Sequence, residues 1–118
     1  MDMTIAARCL EALGSPTRLE VFRLLVQSGP EGAVVGDLQE RLGIPASTLS
    51  HHLSRLVRVG LISQERQSRT LVCRANYERM NGLLAYLSDN CCGGLERAGC
   101  DDAATETVAP VGARSGAA

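Results

Sequence analysis

The chain has 118 residues, 45% apolar and 21% charged, the balance of one ordinary globular domain with room for a short tail. No run approaches the roughly 18 apolar residues of a membrane span, and the opening MDMTIAARCLEALG lacks the basic start, apolar stretch and cleavage site of a secretory signal, so transporters and large multidomain enzymes are excluded and a cytoplasmic setting is expected. The formal net charge is −1, yet seven arginines against Glu65 and Glu78 give residues 41–79 a local +5 inside an otherwise acidic chain, the electrostatic footprint expected of a DNA-binding segment.

Residues 4–13 place Ile5, Cys9, Leu10 and Leu13 at helical spacing, and Gly14 ends that helix. Ser15 then serves as an N-cap and Pro16 as the first helical residue of a second helix over 16–28. Leu19, Val21, Phe22, Leu24, Leu25 and Val26 make it apolar on most sides, so it is expected at the centre. Residues 29–32, Gly-Pro-Glu-Gly, read as a loop. A short helix over 34–42 turns Val35, Leu38 and Leu42 inward and stops at Gly43.

Ile44-Pro45 gives a tight turn into a helix over 46–59, with Ala46, Leu49, Leu53, Leu56 and Val57 on one stripe and Gly60 as its stop. Two strands, 61–67 and 70–75, form a hairpin with Ser68-Arg69 at its tip, without the Asn-Gly chemistry such tips favour. The last helix, 77–91, carries Met80, Leu83, Leu84, Leu87 and Cys91 on its apolar stripe. After Cys92 the composition becomes small, polar and Gly/Ala-rich, which predicts a flexible tail. The expected division is a folded domain over 1–92 and a tail over 93–118. The order ααααββα is mainly α with a β-hairpin (α+β), a winged helix–turn–helix with an extra helix at each end.

Residues 34–59 have the layout of a helix–turn–helix, with Leu38, Leu42, Ile44, Leu49 and Leu53 locking the two helices together. The second helix then presents Ser47, Thr48, Ser50, His51 and His52, short hydroxyl and imidazole groups suited to base edges and phosphates. Arg55, Arg58, Arg66 and Arg69 flank them and suit phosphate contacts or the minor groove. Aromatics are only 3% of the chain, too few for the stacking platforms of single-strand and RNA modules. His51 and His52 are adjacent, so they diverge by about 100° on a helix, and neither has an acid or Cys at i+3 or i+4. That spacing does not favour a metal site.

The two blocks LGSPTRLEVFRLL (13–25) and ASTLSHHLSRLVRVGLI (46–62) resemble the ArsR/SmtB family of bacterial metal-responsive repressors, and the resemblance spans about residues 5–92. It implies a homodimeric winged helix–turn–helix paired through its first and last helices, bound to double-stranded operator DNA and released by an inducer. It also implies that Ser47, Thr48, Ser50, His51 and His52 lie on the recognition helix and Arg66 to Arg69 on the wing. No enzymatic role is expected: a thiol reductase would need a CxxC and a βαβ pattern, and both are missing.

The five cysteines, Cys9, Cys73, Cys91, Cys92 and Cys100, are an odd count without a secretion signal, which points to reduced thiols. The family's CxC site before the recognition helix is absent, since Val34-Val35-Gly36-Asp37 stand there. The last-helix site for zinc, cobalt or nickel is absent too, because 77–90 holds no His. Cys91-Cys92-Gly93-Gly94 followed by Cys100 resembles the arsenic-responsive subgroup with C-terminal cysteine ligands. Soft thiolates select soft centres, and arsenite or antimonite, As(III) or Sb(III), takes three of them in a trigonal pyramid. Gly93 and Gly94 permit the helix end to open so that neighbouring cysteines can reach one atom. No resident cofactor is required. Trivalent organoarsenicals, which need two thiolates, and thiol oxidation remain alternative signals. Cys9 reads as a packing residue that could still approach the cluster of the other protomer, and Cys73 as structural.

Overall fold

The chain, described over residues 1–89 in a computed structural model, runs α1 (Met3–Leu13), α2 (Pro16–Ser28), β1 (Ala33–Val34), α3 (Val35–Leu42), α4 (Ala46–Arg58), β2 (Ile62–Gln67), β3 (Thr70–Ala75) and α5 (Tyr77–Ser88). Residues 1–86 pack as one unit, and a second begins at Leu87. Cys91, Cys92, Cys100 and the expected tail over 93–118 lie outside the described residues. So do residues 90 and 91 of the expected last helix: α5 closes at Ser88, with Asp89 in a turn.

Side-chain caps start the first two helices. Asp2 Oδ1 accepts from the Ile5 N–H at 2.9 Å, and Ser15 Oγ accepts from the Arg18 N–H at 3.4 Å with Pro16 in the first turn. Each satisfies a backbone donor that the helix leaves unpaired. Gly43 ends α3 in the left-handed conformation, φ 66° and ψ 32°, which a residue without a Cβ adopts at low cost. The helix–turn–helix connection is therefore three residues, Gly43 to Pro45, with Ile44 packed against the core.

The sheet has three antiparallel strands in the order β1-β3-β2. The expected helices and hairpin are all present, and the structure adds one short strand to the ααααββα order: Ala33–Val34 pairs with Cys73 and Val72. Two residues carry no alternation to read; the strand exists because β3 offers it a free edge. Gly32 precedes it at φ 77°, and its Cα lies so close to the Cys73 carbonyl that any Cβ there would collide with backbone.

The core gathers Val21, Phe22 and Leu25 of α2 with Leu38, Leu49, Leu53, Leu56, Leu61, Ile62 and Leu83. Leu49, Leu53 and Leu56 anchor α4 as expected, but Ala46 and Val57 are exposed. From α1 the core takes the small residues Ala6, Cys9 and Ala12, while Met3, Ile5 and Leu10 stay in solvent, as does Leu84 of α5. Small side chains let α1 approach the core closely, which turns its larger apolar residues outward.

Asn76 joins the last helix to the end of α4. Its N–H donates to the Leu61 carbonyl at 2.8 Å, its Nδ2 donates to the Gly60 carbonyl at 2.9 Å, and its Oδ1 accepts from the Arg79 N–H at 3.1 Å. The Tyr77 hydroxyl donates to the Val26 carbonyl at 3.1 Å, tying the same turn to the end of α2.

Candidate nucleic-acid interface

Packing decides which side of α4 remains for a ligand. With Leu49, Leu53 and Leu56 buried, Ser47, Thr48, Ser50 and His51 are exposed, and Arg55 is half-buried. Pro45 is the N-cap and offers no side-chain acceptor, so among the described residues the first-turn N–H groups of α4 have no side-chain cap. Such a helix end binds phosphate through its N–H groups and positive dipole. The side chains of this turn are legible in the sequence, whereas its open backbone is signalled only by Pro45 standing in place of a Ser, Thr or Asp cap.

His52 departs from the expected open position. It is half-buried, and its Nδ1 lies 3.4 Å from the Nη1 of Arg18. Burial pushes its pKa down, and Arg18, His51 and Arg55 lower it further, so neutral imidazole is favoured. His51 and His52 have ring centroids 6.0 Å apart, and among the described residues no three His, Cys, Asp or Glu side chains are grouped to hold a metal ion.

The wing is the β2–β3 hairpin. Gln67 pairs with Thr70, so Ser68-Arg69 is a two-residue turn, and Ser68 takes a positive φ of 62°. Beyond Ile62, β2 is exposed along its length, and Arg66 and Arg69 stand in solvent at its far end. Polar and charged groups along this edge strand also discourage strand pairing with other chains.

Not all seven arginines of the basic segment are available. Arg74 forms the one ion pair within 4.0 Å among the described residues, Nη1 to Glu65 Oε1 at 2.7 Å, and its Nε donates to the Pro30 carbonyl at 3.2 Å. It ties the wing to the loop before β1. Arg79 lies against Gly60.

Cys9 and Cys73 are fully buried. Cys9 Sγ donates to the Val59 carbonyl at 3.6 Å, and Cys73 Sγ accepts from Gln64 Nε2 at 3.5 Å. Burial pushes both thiols above the usual range, against smaller opposing contributions from Arg79 at Cys9 and Gln64 at Cys73. Both therefore remain protonated at neutral pH, whereas thiolate is the form that binds soft centres.

Comparison with known proteins agrees with this geometry. A helix–turn–helix domain family matches residues 13–65. The nodulation protein NolR of Rhizobium meliloti is 35% identical over 88 residues, which cover 75% of this chain and 70% of NolR. The HTH-type transcriptional regulator YgaV of Escherichia coli is 33% identical over 87 residues, 74% of this chain and 86% of YgaV. Among solved structures, the ArsR family transcriptional regulator RHA00566 superposes with a TM-score of 0.64 at 26% identity, covering 73% of this chain and 91% of its own. The homodimeric winged helix–turn–helix DNA-binding domain Mb0332 of Mycobacterium bovis, a possible ArsR-family regulator, gives 0.60 at 25% identity, covering 75% of this chain and 82% of its own.

Proposed function

The chain belongs to the ArsR/SmtB family of winged helix–turn–helix transcriptional regulators, and from that premise we propose that it is a homodimeric, DNA-binding repressor released from its operator by trivalent arsenic or antimony. The observation that carries the DNA-binding part is the exposed hydroxyl and imidazole face of α4, with its uncapped N-terminus, beside a wing ending in Arg66 and Arg69. Residues Ser47, Thr48, Ser50, His51 and His52 read the major groove, and Arg55, Arg66 and Arg69 hold the backbone. Met3, Ile5, Leu10 and Leu84, apolar and exposed on α1 and α5, supply the surface a second copy covers, and the Mb0332 domain is homodimeric. Two recognition helices related by a two-fold axis read half-sites about 34–36 Å apart or a multiple of that.

The DNA contacts separate by salt. Arg69→Ala removes one phosphate contact and is expected to lower the slope of log affinity against log salt by roughly 0.9. His52→Ala is expected to weaken binding through a lost hydrogen bond. Titrations at several salt concentrations in which both variants match the wild type would sink the assignment of α4 and the wing.

The inducer reading rests on Cys91, Cys92 and Cys100. Three thiols replace the three hydroxyls of arsenous acid, release three waters and leave a neutral AsS3 centre. Support comes from the softness of thiolate and from the burial of Cys9 and Cys73, which disfavours those two as ligands. A coupling of about 3 kcal/mol changes operator affinity on the order of 100-fold, and DNA must weaken arsenic binding by the same factor.

Operator gel shifts with arsenite, phenylarsine oxide, Zn²⁺ and peroxide test it. Arsenite is expected to release the wild type. Single Ser substitutions at 91, 92 or 100 are expected to bind DNA normally and resist release, while Cys73→Ser responds like the wild type. Normal arsenite release from both Cys91→Ser and Cys92→Ser rules out arsenic sensing at this cluster. Release of Cys100→Ser but not of Cys9→Ser moves the third thiolate to α1. Release by peroxide alone, reversed by a reductant, selects the redox reading.

A further inference from the structure

We propose that Arg18 is a positioning residue for DNA recognition: it fixes the tautomer of His52, so that the ring meets DNA as a hydrogen-bond donor through Nε2–H. The proposal rests on the DNA-binding reading above and adds to it a residue of α2 that lies outside the recognition helix and the wing.

Arg18 is held by two contacts. Its Nε donates to the Ala12 carbonyl at 2.6 Å, satisfying one of the backbone acceptors left open at the end of α1. With the guanidinium anchored there, Nη1 stands 3.4 Å from His52 Nδ1. Guanidinium has five N–H donors and no acceptor, so this contact is attractive only if Nδ1 carries its lone pair. A proton on Nδ1 would set N–H against N–H beside a full positive charge. In the neutral ring the proton is therefore on Nε2.

The groups facing the ring agree. Arg18 approaches from α2, and His51 and Arg55 approach along α4; all three disfavour a second proton on His52, as does its partial burial. A neutral ring with Nε2–H can donate to a phosphate oxygen, to guanine N7 or O6, to adenine N7 or to thymine O4. It cannot accept from the amino groups of cytosine or adenine. Arg18 thus sets what His52 can read without touching DNA. Because the same guanidinium grips the end of α1, the ring is also referenced to the helix that exposes Met3, Ile5 and Leu10.

The test is ¹⁵N–¹H correlation of the imidazole rings in the full-length protein labelled at histidine. The chain has only two histidines, and His51→Gln assigns them. The expected result is the Nε2–H tautomer for His52 in the wild type. In Arg18→Met, which keeps length and loses the donors, a tautomer mixture and a higher titration midpoint are expected, with Arg18→Lys restoring part of the midpoint shift. Operator binding by Arg18→Met is expected to be about 2- to 10-fold weaker at pH 8, the range of a single hydrogen bond. At pH 6 its salt slope is expected to steepen, by up to roughly 0.9, as the ring gains a proton. A merely structural role for Arg18 would change affinity equally at both pH values and leave the slope alone. The Nδ1–H tautomer in the wild type overturns the proposal by itself, without any variant. An unchanged titration and slope in Arg18→Met overturn it too, as does wild-type affinity in His52→Ala. Failure of the broader functional reading looks different: the wild type would bind no operator, and the ring spectrum would still decide the tautomer.

Discussion

A Gly32→Ala variant is expected to lose about 2–5 kcal/mol of stability, the sum of a left-handed backbone cost of about 1–2 and an overpacking cost of about 1–3. Gly32 sits at φ 77°, and a Cβ there meets the Cys73 carbonyl and, at 2.6 Å, Cγ of Arg74. The arginine side chain can move, but the carbonyl belongs to the central strand β3 and is fixed by pairing on both sides. Relief therefore requires β1 to leave the sheet. Gly29 and Gly43 also have positive φ, but nothing lies within 4 Å of a Cβ at either, so alanine there is expected to cost only the backbone part, about 1–2 kcal/mol at the left-handed Gly43 and about 1–3 at Gly29, whose ψ of −171° falls in a region kept for glycine. Urea denaturation of the three variants side by side checks this. Equal losses at all three would mean that the approach of residue 32 to β3 is not what constrains it. A domain of this size has about 5–15 kcal/mol in total, so the larger figure leaves little reserve.

Leu53→Ala is expected to cost about 2–5 kcal/mol, the range for truncating a buried leucine, and to weaken DNA binding beyond what unfolding accounts for. Leu53 is the middle of the three buried residues of α4 and is 2% exposed, against 38% for Val57 one turn on. Val57→Ala serves as the control and is expected to stay within about 0.5 kcal/mol of the wild type, as surface substitutions do. Thermal or urea unfolding gives the stabilities, and operator titration well below the melting range gives the binding. If Leu53→Ala and Val57→Ala lose the same stability, α4 does not dock through the face described. Ser50→Ala supplies the converse, with unchanged stability and weakened binding.

The places where the sequence spoke clearly are those where one residue type has one local use. Ser15-Pro16 starts α2, Gly43 closes α3, and Leu49, Leu53 and Leu56 lie on one stripe of α4; each is a short-range rule and each holds in the fold. Helical periodicity in α1 placed Ile5, Cys9, Leu10 and Leu13 together; Cys9 and Leu13 do meet the core, but Ile5 and Leu10 are exposed, and Ala6 and Ala12, which periodicity gives little weight, are buried. Which side of a helix is buried depends on how near its neighbours come, and that is a tertiary fact. β1 was illegible for a similar reason: its pairing partners lie near residue 72, and its own two residues have no period. At the site, the exposed hydroxyls and arginines could be read from position alone. The Arg18–His52 contact could not, since it joins residues 34 apart and nothing local marks an arginine on α2 as the neighbour of a recognition-helix ring.

The bonds of Asn76 bear on how firmly the last helix is joined to the recognition helix. Its three contacts and that of Tyr77 leave no slack between the first turn of α5, the turn that follows α4 and the end of α2. A joint so fastened transmits torque. A rotation of the first turn of α5 would pull on Gly60 and Leu61, the residues just past the end of α4, as a key turns a bolt. Flexible joints dissipate such a rotation and stiff ones deliver it, so Asn76 is the point at which a rotation of α5 would be handed to the turn after α4.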